Sequence, residues 1–186
     1  MSASPVTLER PKPGEYKPYF DRYISLIPGN DIIGTLEKEL PKTVALLASR
    51  SEEDGTLRYA PDKWSVNEAL GHMIDTERIM TYRALRIARN DQMPLPGFEQ
   101  DDYVRGGPHA DLRLGDLIDE FKTVRAATLA FFRHLRTGDW ARRGVVDQHE
   151  ISVRALAYII AGHELHHRRT FEERYFASSP ARAEIA

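Results

Sequence analysis

The 186-residue chain contains no cysteine. That excludes a disulfide framework, a thiolate metal site and a cysteine nucleophile. It also lacks an excess of charge of one sign: 26 basic side chains stand against 28 acidic ones, a formal net charge of −2. Such a balance gives neither the footprint of a nucleic-acid binder nor an attraction to anionic membranes. No unbroken apolar run is long enough for a transmembrane helix. The opening MSASPVTLER has no apolar stretch of the kind a secretory leader needs, so the cytoplasm is the expected compartment. No internal repeat and no alternating strand pattern of useful length is present.

What the chain does hold is four long segments with apolar residues at helical spacing. The first begins at PGNDIIGTLEKELPKTVALLAS, with Asn30 or Asp31 as N-cap and Pro41 predicting a kink or break. The second, WSVNEALGHMIDTERIMTYRALRIARN, opens with the capping box Ser65–Glu68 and ends at Asn90 and Asp91. The third is LRLGDLIDEFKTVRAATLAFFRHLR, and the fourth spans about 151–177. A short extended piece is expected at 143–147. Between the second and third helices, DQMPLPGFEQDDYVRGGPHAD is long for a compact domain, which marks a functional or crossover segment.

The expected fold is all-α: a four-helix bundle of two antiparallel pairs, joined by a long crossover between the second and third helices. Residues 31–177 form the bundle and 178–186 a loose tail. Residues 1–30 carry prolines 5, 11, 13, 18 and 28 interleaved with Tyr16, Tyr19, Phe20 and Tyr23. They are expected to form an irregular arm against the body, with one helical turn at 19–26.

The chemistry concentrates in GHELHHRRTF, residues 162–171. As H-E-x-x-H it matches the zinc-protease signature, with His163 and His167 as ligands and Glu164 as general base. As H-x-x-x-H it is two imidazoles one helical turn apart, able to converge on one ion. A catalytic metal usually takes three protein ligands. Downstream of His167 there is no histidine, and Glu172 and Glu173 follow on the same helix, unable to fold back. Upstream, His72 in the second helix is the better third ligand, although it falls at the edge of that helix's apolar stripe. Glycines precede both His72 and His163 and suggest close helix approach. Glu164 is either a general base or a carboxylate paired with Arg168 at i+4. Glu68 and Asp75, at i−4 and i+3 from His72, are either acceptors for its free N–H or solvated acids. Glu77 lies inside the apolar stripe and calls for an arginine partner. His109, His134 and His149 are expected at the surface, and His166 on the rim.

KWSVNEALGHMIDTE followed far downstream by GHELHH resembles the DinB/YfiT-like superfamily of metal-binding four-helix bundles, as does the tract RPKPGEYKPYFDRYISLIPGNDIIGTLEKEL. The resemblance covers about residues 10–176. It implies a divalent metal, zinc or nickel depending on the member, held by His72, His163 and His167. It also implies a transferase or isomerase using a low-molecular-weight thiol such as bacillithiol or mycothiol.

Three functional classes therefore stand. One is a metal-dependent transferase or hydrolase acting on a small molecule, with a thiol cosubstrate supplying the nucleophile that a cysteine-free chain lacks. A second is a non-catalytic metal-binding or stress-response protein. The third, a metalloprotease, is the remote one. The apolar residues nearly all round the second helix suggest a homodimer. Phe98, Tyr103 and the glycines of the long connection are candidates to roof a substrate pocket.

Overall fold

The computed structural model describes residues 8–177. The tail expected at 178–186 and the first seven residues of the arm lie outside that range. A single turn, Pro18–Phe20, leads into the short helix α1 (Asp21–Ile24). Four long helices follow: α2 (Ile32–Ala48), α3 (Val66–Ala88), α5 (Leu114–Arg133) and α6 (Val153–Thr170). The short α4 (Gln100–Gly106) lies between α3 and α5. Strands β1 (Arg143–Val146) and β2 (His149–Ser152) form an antiparallel hairpin just before α6.

Local chemistry explains the helix starts. Asp31 accepts a hydrogen bond from the Gly34 amide and caps α2. Ser65 and Glu68 form the reciprocal capping box of α3, and Ser152 caps α6. Pro41 does not break α2, which runs through it.

The neighbours differ from the expected consecutive pairs. Both α2 and α3 pack against α5 and α6. Contacts between α3 and α5 advance together, from Asn67–Leu112 through Arg78–Glu120 to Thr81–Thr128, so these helices run the same way. The antiparallel neighbours are α2 with α5 and α3 with α6. Consecutive helices need not be adjacent because the links, residues 49–65 and 134–152, are not tight turns. The first carries a 3-10 turn and the second the β-hairpin.

The apolar core has two parts. One gathers the arm, the hairpin and most of α6; the other gathers the first half of α3, α5 up to Val124, and Phe171–Phe176. A polar layer divides them, with one residue from each long helix: Thr43, Glu77, Arg125 and Glu164 are all buried. Arg125 donates to both oxygens of Glu77 at 2.8 Å, to Glu164 at 2.7 Å and to the Leu36 carbonyl at 3.0 Å. Glu77 thus has the arginine partner its place in an apolar stripe required.

Candidate metal centre

The i,i+4 spacing of His163 and His167 puts both rings on one face of α6, and α3 brings His72 to the same point. The Nε2 atoms of His72 and His167 each lie 3.0 Å from that of His163. One ligand atom from each of the three rings falls within 4.8 Å of the others. His72 and His163 are buried, although His72 falls at the edge of the α3 apolar stripe. The Trp64 ring packs 4.7 Å from His72, and Tyr23 meets His163 edge-on at 5.3 Å.

The two glycines admit neighbours other than the facing helix of the histidine site. A Cβ at Gly162 would fall 2.1 Å from the Tyr23 carbonyl, so this glycine admits the backbone of the arm. At Gly71 it would fall 2.1 Å from the His109 ring. His109 is therefore buried rather than superficial, and its Nδ1 has no hydrogen-bond partner among the described residues. His134, His149 and His166 are exposed.

Burial, reinforced by the fields of His109 and His166, pushes His72 down to about 4. His163 and His167 are depressed well below the ordinary imidazole value, first by burial and then by neighbouring rings. All three are neutral at pH 7, the form that ligates metals. Two metal–nitrogen bonds of roughly 2.0–2.1 Å at angles of about 90–110° place their nitrogens roughly 2.8–3.4 Å apart. The observed 3.0 Å spacings fit that donor geometry.

The outer acceptors are not the expected ones. Glu68 is taken up by the α3 cap and by Arg58 at 2.8 Å, because the nearest amide is that of Ser65 one turn back. Asp75 faces Arg78 and the His109 ring. The hydroxyl of Thr76, 3.5 Å away, is the group facing His72 Nδ1. Glu164 turns to the bundle centre, where Thr43 donates to one oxygen and Arg125 to the other, each at 2.7 Å. Its expected partner Arg168 pairs instead with Glu39 of α2.

His72 and His163 line a cavity of about 290 Å3. Tyr19, Phe20 and Tyr23 of the arm, Phe98 of the long connection and the hairpin complete it. The hairpin gives Val146, Asp147, His149, Glu150 and Ile151 to this wall; at its turn Asp147 and Gln148 both have positive φ, the hallmark of a type I′ turn. Leu95 bridges to Val146, tying the long connection to the hairpin. Sequence reasoning missed this second wall, and also Arg83 and Arg125, since an arginine in a helical stripe gives no sign of which way it faces.

A helical bundle that gathers three neutral imidazoles from two facing helices, two of them lining a cavity, is a bundle protein with a candidate metal centre. The chain belongs to the DinB superfamily, whose sequence profile matches residues 35–171. No curated protein matches it. Among solved structures it is similar to YfiT from Bacillus subtilis, described as "a probable metal-dependent hydrolase with an unusual four-helix bundle topology". That likeness covers 91% of this chain and 93% of the other, with a TM-score of 0.69 and 14% identity, and it shows the fold.

Proposed function

We propose that the protein is a metal-dependent enzyme acting on a small molecule, a hydrolase or a transferase using a low-molecular-weight thiol. Its divalent ion, zinc or nickel, is held by His72, His163 and His167. The observation that carries this is the convergence of three neutral imidazoles, those of His72 and His163 buried and that of His167 partly so, beside a cavity large enough for a small ligand. Neutral imidazole nitrogens suit zinc and nickel alike. A divalent ion bound there would polarise a substrate oxygen or sulfur and lower the pKa of a bound water or thiol.

The chain's own residues supply the rest. Trp64 and Tyr23 fix the rings of His72 and His163 by edge and tilted contacts. The aromatic wall of the arm and Phe98 exclude bulk water from the reacting end of the cavity. With both oxygens of Glu164 engaged by Thr43 and Arg125, proteolysis with Glu164 as general base is not part of this reading. The cytoplasm is its proposed compartment; no helix among the described residues is long and apolar enough to cross a membrane. A homodimer through α3 is proposed on Tyr82 and Leu85, both exposed on that helix, and sedimentation velocity tests it.

Metal analysis of the purified protein against His72→Ala tests the site. One equivalent of metal in the wild type and strong depletion in the variant are expected. Equal metal in both removes His72 from the site. Turnover of an electrophile with a panel of thiols, compared with thiol-free hydrolysis, then separates transferase from hydrolase. Metal binding with neither activity would leave a non-catalytic metal-binding protein.

A further inference from the structure

The cavity has a second charged feature that the metal reading does not use. His72, Thr76, Met80 and Arg83 line its α3 wall in succession. Arg83 is only 6% exposed. Its Nη2 donates to the Pro96 carbonyl at 2.7 Å, and Nη1 reaches only the Met80 sulfur at 3.6 Å, a weak acceptor. The guanidinium stands 5.4 Å from the centre of the Phe98 ring. Among the described residues no carboxylate comes within ion-pair distance of it.

The other interior arginines are answered differently. Arg125 has Glu77 and Glu164, and Arg154 has Glu15. A buried guanidinium carries a desolvation cost of several kcal/mol unless an anion repays it. The remaining charges around the cavity do not fill that role. Lys17 and Asp147 pair with each other at 3.4 Å, Glu150 pairs with Arg143 at 3.3 Å, and Glu99 is exposed. Burial lowers the Arg83 pKa, and the fields of Asp147 and Tyr103 oppose that.

We propose that Arg83 anchors the carboxylate of the small molecule bound in this cavity, holding its acidic end away from the histidines; this rests on the metal-site reading only for which end reacts. A guanidinium fork offers two parallel N–H donors to a planar carboxylate. A monoanion fits better than a phosphate dianion, because Asp147, Glu99 and Glu150 also line the cavity and would repel a second negative charge. Eleven residues of helix separate His72 from Arg83, roughly 16 Å along the axis. The ligand is accordingly an elongated acid, with Met80, Ile159 and Phe98 flanking its apolar middle.

The test uses octanoate against octanamide, measured by calorimetry on the full-length protein stripped of metal with a chelator. Wild type is expected to bind octanoate at least about tenfold more tightly, the range of one charge-assisted pair. Arg83→Gln should abolish that preference by weakening octanoate far more than octanamide, while Arg83→Lys retains part of it. A thermal melt of each variant checks folding. Equal binding of the two ligands by wild type, or a preference that survives in Arg83→Gln, overturns the proposal. No metal enters this measurement, so its failure is distinct from a failure of the histidine site, which metal content reports.

Discussion

At the residue scale the decisive fact is that charge is buried in two different ways within one helix, α3. Glu77 is part of a satisfied layer; Arg83 is left without an anion. In the satisfied layer, Arg125 is the shared cation of two carboxylates, and removing it is far costlier than removing either of them. Arg125→Met leaves Glu77 and Glu164 buried without a cation and should cost about 3–5 kcal/mol, a fall in Tm on the order of 10 °C for a chain of this size. Glu164→Gln keeps the shape and most donors' partners, so a smaller loss of about 1–3 kcal/mol is expected, with metal content unchanged. Thermal melts and metal analysis of the two variants check both statements. A Glu164→Gln protein that keeps its stability but loses its metal would show that this carboxylate serves the histidines rather than the core.

At the element scale, the arm and the hairpin turn a plain bundle into one with a cavity. Gly162 is where the arm docks, because the Tyr23 carbonyl occupies the space a side chain would need. Gly162→Ala forces backbone apart and should cost roughly 1–3 kcal/mol. Limited proteolysis should then cut within residues 17–27 faster than in wild type; an unchanged cutting rate would mean the arm is held elsewhere. The hairpin turn makes the opposite prediction. Gln148 has φ of +63°, a conformation that costs a non-glycine residue about 1 kcal/mol. Gln148→Gly should therefore stabilise by about that amount in urea melts. The same elements show what the sequence conceals. The caps of α2 and α3 were legible because donor and acceptor lie three residues apart. So were the helices themselves, through their apolar period, and so was the pairing of His163 with His167. The hairpin is half legible: β1 overlaps the expected extended piece, but β2 straddles the expected turn and the start of the fourth helix, since four residues are too few to show alternation and Asp-Gln is an unusual pair for this turn. The short α4 is only 7 residues long, too short to show a helical apolar period within the long connection. His109 and the partner of Glu164 are set by neighbours dozens of residues away, and no local pattern encodes them.

At the scale of the whole molecule, acid stability links the site to the fold. His72 is held near 4 in the folded protein against an ordinary value of 6.5, and His163 and His167 are also depressed well below it by burial. Between these values the unfolded chain binds protons that the folded chain refuses, so stability rises with pH across that window. In the metal-free protein it is complete above about pH 6.5 and is lost as pH falls toward 4, His72 alone accounting for on the order of 3 kcal/mol. Glu15 defines a second window. Burial would raise its carboxyl, but hydrogen bonds from Arg154, Ser152 and the Lys12 amide hold it at about 2. Its contribution is present above about 4.5 and is lost only as pH falls toward 2. The two windows separate the site from the scaffold. A bound divalent ion competes with protons for the three imidazoles and adds stability in proportion to its occupancy. Melting temperatures followed from pH 8 to pH 3 should therefore begin to fall near pH 6.5 in chelator-treated protein, and at distinctly lower pH in zinc-loaded protein. Below about 4.5 both forms should decline together as Glu15 is titrated. Superimposable profiles with and without zinc would mean that the three histidines do not share a metal, whatever their spacing.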